Sequence, residues 1–282
     1  MTGPDLTLVQ LSDPHILPDG VLMHDVVDTT AHLAAALDTI EAAALPASAF
    51  LLTGDLTDNG DPAAYRRLRG LVEPAAASVG AEVVYVMGNH DDRAAFHTEL
   101  LGTAPSTAEH DTVVTIGGLR VVVLDTSEPG RHDGHLSTGQ LDRLAAELAE
   151  PAERGSVLVC HHPPLRSPVP SVDLLRLRNA ENLAAVLTGT DVRLVVTGHA
   201  HHTGAGALAG IPVWVGPALA YGVAPVPPRG RLRAAADSAF TRIDVFGDQI
   251  VATAVPVSRA TTVYDVSSAE RLRYMREVIA TW

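Results

Sequence analysis

Five short apolar runs in this chain each stop at a cluster of Asp, Asn and His, and no other feature constrains the fold as much. Residues 6–11 run into Asp13-Pro14-His15, and residues 50–53 into Gly54-Asp55-Leu56-Thr57-Asp58. Residues 83–86 lead to Gly88-Asn89-His90-Asp91, 156–160 to His161-His162-Pro163-Pro164, and 193–197 to Gly198-His199-Ala200-His201-His202. Apolar runs of this length, separated by helical segments, read as buried strands of an open α/β sheet. The carboxyl ends of such strands line one crevice, where ligands bind. Seven of the 13 histidines fall in these clusters, so scattered surface histidines are a poor explanation.

Between the runs, helices are expected near residues 29–44, 63–72, 93–101, 138–150 and 180–187, with Pro151 stopping the fourth. Residues 113–116 and 119–124 around Gly117-Gly118, and 240–246 and 249–255 around Gly247-Asp248, read as hairpins, and 212–215 as a further buried strand. Hairpins among alternating strands and helices indicate mixed rather than purely parallel sheets. The Pro/Gly/Arg segment 217–236 is the expected mobile loop. A charged helix near 268–280 ends the chain, and its Leu272, Met275 and Ile279 stripe is expected to pack on the body or on a partner subunit.

Composition removes several kinds of function. The balance of 20 basic against 33 acidic residues gives −13, which disfavours nucleic acid and anionic lipid as partners. All the basic residues are Arg, so Schiff-base chemistry, a P-loop lysine and pyridoxal phosphate attachment are excluded. The single cysteine, Cys160, excludes an intrachain disulfide framework, Cys-rich zinc sites and iron–sulfur clusters. Cys160 itself reads as a small core hydrophobe rather than a nucleophile. No run reaches the roughly 18–20 apolar residues of a membrane span, and no targeting segment is evident, so the expected location is cytoplasmic.

The spacing within the clusters carries chemistry. In an extended segment residues i and i+2 share a side, so Asp13/His15 and His199/His201 each aim two ligands at one place. Carboxylate, imidazole and amide oxygen without thiolate suit Mn, Fe, Zn or Co. There are too many ligands for one tetrahedral ion and about enough for two ions sharing a carboxylate.

The series D-x-H, G-D-x-x-D, G-N-H-D, H-H-P-P and G-H-x-H, in that order over residues 6–216, resembles the calcineurin-like metallophosphoesterase superfamily. The N-H-D and H-H-P-P forms and the DGHLSTGQLDRL segment look most like its class III bacterial cyclic nucleotide phosphodiesterases. The resemblance implies a four-layer α-β-β-α sandwich of two mixed sheets flanked by helices. It implies a catalytic domain over residues 1–260 and a helical tail over 261–282. It implies one metal held by Asp13, His15, Asp55 and His201, and a second by Asp55, Asn89, His161 and His199, with Asp55 bridging. His90 is then expected at the substrate phosphate or leaving oxygen, with Asn89 beside it and Asp91 orienting it. A homodimer is also implied.

The function expected on these grounds is dinuclear metal-dependent hydrolysis of a small phosphodiester, a 3′,5′- or 2′,3′-cyclic nucleotide, by in-line attack of a metal-bridging hydroxide. A glycerophosphodiesterase or broad phosphomonoesterase shares the same core, and a non-catalytic metal-binding regulator is the alternative of another class. Among the remaining residues, Asp58 is expected to fix its loop. His132 and His135 lie in a loop able to close over substrate, and His162 and His202 adjoin ligands without an assigned part. His24, His32, His97 and His110 are expected at the surface, and Arg66, Arg67 and Arg69 on a solvated helix face.

Overall fold

The structure is a computed structural model that describes residues 3–257 and 262–280. In chain order its elements are β1 (Leu6–Leu11), α1 (Thr29–Ala42), β2 (Ala49–Thr53), α2 (Pro62–Val79), β3 (Glu82–Val86), α3 (Arg93–Glu99), β4 (Thr112–Ile116), β5 (Leu119–Leu124) and α4 (Thr138–Glu147). There follow β6 (Ser156–Cys160), α5 (Pro170–Asp173), α6 (Ala180–Leu187), β7 (Val192–Thr197), β8 (Gly204–Leu208), β9 (Ile211–Val215), β10 (Gly222–Val223), β11 (Ala234–Ala235), β12 (Ala239–Val245), β13 (Ile250–Pro256) and α7 (Ser268–Ala280).

The strands form a five-stranded sheet, ordered β13-β12-β1-β2-β3, and a six-stranded sheet, ordered β4-β5-β6-β7-β9-β8, with β10 and β11 as a small separate pair. Both large sheets are mixed, as expected. β1, β2 and β3 run parallel with β12 and β13 antiparallel, while β5, β6, β7 and β9 run parallel between antiparallel β4 and β8.

Period-two alternation explains the layering. In β1, Leu8 faces the other sheet, where it joins Leu51, Val84, Val121, Val157 and Val196. Its neighbours Val9 and Leu11 face outward onto Leu33, Leu37, Tyr65 and Leu68 of α1 and α2. The second sheet repeats the pattern, with Val122, Leu158 and Cys160 packed on Leu141, Leu144, Leu183 and Leu187 of α4 and α6. Strands buried on both faces between helices and a second sheet make a four-layer α-β-β-α sandwich.

Register brings the strand ends level. Leu11 lies opposite Leu52, Thr53 opposite Val86, and Leu124 opposite Cys160, so the polar clusters leave both sheets at a common rim. Below that rim the buried Gln10 ties the sheets together: its Nε2 donates to Thr53 Oγ1 and to the Thr197 carbonyl, both at 2.9 Å.

One local expectation is corrected, and three further details emerge. Helix α2 continues past Val72 to Val79 with Pro74 inside it, because Ala75 and Ala76 extend the buried stripe and Gly80, at φ 75°, closes the end. Strand β8 has no alternating apolar pattern, and it exists because its backbone pairs with β9 at a sheet edge. Within the 217–236 segment, β10 and β11 pair, and residues 217–221 are anchored: Leu219 and Ala220 donate to the carbonyls of Ser12 and Asp13 at 2.9 and 3.0 Å. On α7, Leu272, Met275 and Ile279 are 45%, 38% and 67% exposed, so the described body does not cover that stripe. The 260/261 boundary expected between catalytic domain and tail lies outside the described residues. No helix among the described residues is long and apolar enough to cross a membrane.

Leu51 is fully buried between the sheets. Leu51→Ala is expected to lower unfolding free energy by about 2–5 kcal/mol in urea titrations.

Candidate metal centre

The backbone turns sharply as it leaves the strands. Asp13, His15, Asp55, His199 and His201 all adopt left-handed conformations, with φ of 50°, 42°, 49°, 67° and 52°. Such backbone costs a non-glycine residue on the order of 1–3 kcal/mol and persists only where its surroundings impose it. Here hydrogen bonds between loops impose it. Asp13 N donates to the Gly54 carbonyl at 3.1 Å and His15 N to the Asp55 carbonyl at 3.0 Å. His199 N donates to Asp13 Oδ2 at 3.0 Å, and His90 N to Asp55 Oδ1 at 2.9 Å. Gly198 is required for close approach, since a Cβ there would press on Ser12 Oγ and lie 2.6 Å from Asp13 Oδ2.

These turns bring six of the seven expected ligands, Asp13, His15, Asp55, His161, His199 and His201, to one place. Asp13, His15, Asp55 and His201 are buried, with ligand atoms all within 4.8 Å of one another. His15 Nε2 lies 3.1 Å from His201 Nε2 and 3.5 Å from Asp55 Oδ2, and His201 Nε2 lies 3.5 Å from Asp13 Oδ1. On the other side of Asp55, the same Oδ2 is 3.3 Å from His161 Nε2, which lies 3.2 Å from His199 Nδ1. Asn89 Oδ1 is buried without a hydrogen-bond partner.

The outer nitrogens are held by the protein. His161 Nδ1 donates to the Thr53 carbonyl at 2.8 Å and His201 Nδ1 to the Tyr221 carbonyl at 3.0 Å. His15 Nδ1 is 3.2 Å from Asp58 Oδ1. Each contact fixes the tautomer that turns an Nε2 lone pair inward. Imidazole nitrogens 3.1–3.2 Å apart, a carboxylate shared between two groups and an orphaned amide oxygen together fit a pair of cations bound through nitrogen and oxygen.

Electrostatics agree with that fit. Burial disfavours charge at His161, but the Asp55 carboxylate overrides it and lifts the imidazole to about 10. His201 is raised against burial by its contact with Asp13. Burial likewise opposes the Asp13 and Asp55 carboxylates, yet the facing histidines hold Asp13 down at about 2 and Asp55 well below its usual value. Burial, helped by the charge on His161, depresses His199 to about 3. A cation seated among these nitrogens therefore displaces protons.

His90 sits beside the cluster rather than in it. Its Nδ1 donates to the Asp58 carbonyl at 2.7 Å, its ring centroid is 4.8 Å from that of His15, and about a third of the side chain is exposed. The expectation that Asp91 orients it is corrected. Asp91 turns inward and accepts from Leu56 N, Thr57 N, Gly88 N and Tyr65 Oη at 2.8–3.2 Å, bracing two loops. Burial, reinforced by Asp55, lifts it to about 7. The residue that orients His90 is Asp58, which also fixes its loop.

Other residues gain contacts that motif spacing does not encode. His132 Nδ1 accepts from Asn89 Nδ2 at 3.2 Å, which leaves the buried Oδ1 as the unengaged end of the amide. His162 is buried, with Nδ1 2.8 Å from Thr126 Oγ1, and its ring centroid lies 4.6 Å from that of His199. His202 Nε2 accepts from Ser167 Oγ at 2.8 Å. His135 is 3.8 Å from Glu128. The Tyr221 ring packs 4.3 Å from that of His201, a contact with no signal in the sequence. His32, expected at the surface, is half-buried and donates to the carbonyls of Leu219 and Ala220. His110, also expected there, packs against Phe96 at 5.0 Å beside the half-buried His97. Cys160 is fully buried, which pushes its thiol up to about 12.

The family model for calcineurin-like phosphoesterases matches residues 6–203. This chain belongs to that family. Among its curated relatives, a cAMP/cGMP dual specificity phosphodiesterase of Mycobacterium tuberculosis is 43% identical over 264 residues, covering 92% of this chain and 82% of its own. A probable cyclic nucleotide phosphodiesterase of Rhodococcus erythropolis is 44% identical over 218 residues, covering 77% and 72% respectively. Among solved structures, a dimetal phosphatase from Danio rerio superposes with a TM-score of 0.64 at 16% identity, over 92% of this chain and 99% of that one. That likeness establishes the metallophosphoesterase sandwich. The calcineurin-like family and the His/Asp clusters together indicate a dinuclear metal site.

Two outcomes are expected. Because His161 and His201 must give up protons, Mn²⁺ binding should release protons, and affinity should rise with pH by about tenfold per unit for each proton displaced. Calorimetry in buffers of different ionisation enthalpy measures this. Gly198→Ala, by pushing Asp13 aside, should weaken Mn²⁺ binding at least about tenfold while leaving the circular dichroism spectrum unchanged.

Proposed function

We propose that this chain is a dinuclear metal-dependent phosphodiesterase acting on cyclic nucleotides, 3′,5′- or 2′,3′-cyclic. The observation that carries the reading is the convergence of two ligand sets on Asp55 Oδ2, with His90 beside them. The names of the two bacterial relatives support the cyclic nucleotide as substrate class. In this reading Asp13, His15, Asp55 and His201 hold one ion, and Asp55, Asn89, His161 and His199 the other. Mn, Fe, Zn and Co all suit this borderline donor set.

When bound, the ions supply Lewis-acid charge for the phosphate oxygens and an activated water. The chain's own groups do the rest. Asp58 fixes His90 through Nδ1, so the imidazolium form of His90 would be free to give its Nε2 proton to the leaving oxygen and end as the neutral Nδ1–H ring, a contribution on the order of 10²–10⁴ in rate. His132 holds the Asn89 amide, and Asp91 holds the loops carrying Asp55 and Asn89 at fixed separation. A diester is favoured over a monoester because the arginine that lines a recess with His90 is already engaged: Arg93 binds Asp125 and the carbonyls of Thr107 and Ser127. The ligand set is complete, which weighs against a regulator that only binds metal. Cytoplasmic location and a homodimer belong to this reading through family likeness.

The test is steady-state hydrolysis of 3′,5′-cAMP, 2′,3′-cAMP, glycerophosphocholine and AMP by Mn²⁺-loaded protein. A cyclic nucleotide should be preferred, and His90→Ala should lower kcat by about 10²-fold or more with metal content unchanged. Preference for AMP or glycerophosphocholine would overturn the substrate assignment.

A further inference from the structure

A recess of about 370 Å³ opens beside Asn89 and His90 and runs between the first turn of α3 and the loop at residues 127–130. Its volume lies near the lower end of small-ligand pockets, roughly 300–1,000 Å³, so it suits one small molecule rather than a polymer.

The walls are fixed by the protein. Arg93, the first residue of α3, donates to the carbonyls of Thr107 and Ser127 at 2.9 Å and pairs with buried Asp125 at 3.0 Å. Asp92 caps α3 through Ala95 N at 2.8 Å. Glu128 is paired with Arg178 and Arg131. Arg93 and Glu128 thus already have charged protein partners, and the recess offers no free arginine to a second phosphate. Asn59 differs: it is exposed at the recess, and among the described residues its side-chain amide has no partner. An amide offers both donors and an acceptor to a neutral polar ligand.

Reaction geometry selects this recess. In a cyclic diester both ester oxygens belong to one sugar, so the nucleoside extends from phosphorus on the side of the leaving oxygen, opposite the attacking water. His90 marks that side. A larger recess of about 580 Å³ touches the cluster at His201, but neither His90 nor Asn89 lines it.

Resting on the cyclic nucleotide reading above, we propose that the recess beside His90 is the nucleoside subsite, taking the neutral ribose and base, with Asn59 as a specificity-determining contact. Ala94 lines the same recess from α3 and is not itself among the proposed metal ligands, so Ala94→Trp narrows it while leaving every ligand side chain in place.

The test is calorimetric binding of AMP and of inorganic phosphate to Mn²⁺-loaded wild type, Ala94→Trp and Asn59→Ala. Wild type should bind AMP more tightly than phosphate. Ala94→Trp should weaken AMP at least tenfold and Asn59→Ala three- to tenfold, with phosphate and Mn²⁺ affinities unchanged in both. Asn59→Ala alters an exposed, unpartnered side chain, so it keeps the test informative if the Trp variant misfolds. Equal wild-type affinities for AMP and phosphate, unchanged AMP binding in the variants, or parallel loss of both ligands would overturn the subsite. Absence of cyclic nucleotide turnover by wild type would instead defeat the parent reading, whatever the binding data show.

Discussion

The site is organised around one carboxylate. Asp55 Oδ1 accepts the backbone N–H of His90, while Oδ2 faces His15 on one side and His161 on the other. Those histidines leave different sheets, β1 and β6, so a single side chain joins both halves of the sandwich at the rim. Its charge also sets the protonation of its neighbours. It raises His161 against the effect of burial and contributes to the raised value of Asp91. Such a concentration of like and unlike charge in a dry site is tolerable only when cations or protons balance it.

The left-handed backbone at five ligands shows how the fold maintains that concentration. Each strained turn is held by a hydrogen bond from another loop, so no loop can relax alone. Beneath them a buried polar chain runs from Gln10 Nε2 to Thr53 Oγ1, on to Ser12 Oγ and then to the Asp13 carboxylate. It fixes Asp13 from below while His201 meets it from above. The strain is a preorganisation cost, met by the large cores on either side of both sheets.

Much of this was legible in the sequence because strand ends and ligand types coincide along the chain. The parallel strands, the layer order and the expected ligands Asp13, His15, Asp55, Asn89, His161, His199 and His201 come from local pattern and family likeness, and the structure brings the carboxylates and imidazoles among them together. What escaped was set by contacts distant in sequence. Tyr221 and Thr53 act through their carbonyls, which no side-chain pattern encodes. His132 reaches Asn89 across 43 positions, and Gln10 reaches Thr197 across 187. Asp91 turned inward because three backbone N–H groups and a tyrosine hydroxyl converge on it, an arrangement that a motif of adjacent letters does not encode. The apolar stripe of α7 has helical period, but period alone does not say what covers a face.

Cys160 gives the chain an internal reporter. Its thiol is fully buried in β6, immediately before His161, and is raised to about 12. A thiol-specific reagent therefore reacts only when that strand separates from its neighbours, and no second cysteine contributes to the signal. The rate of labelling thus measures how often the strand that supports His161 opens. Any ion that binds only the closed form slows labelling in proportion to its occupancy. The chain's one sulfhydryl is in effect a gauge of metal-coupled stability, readable without substrate.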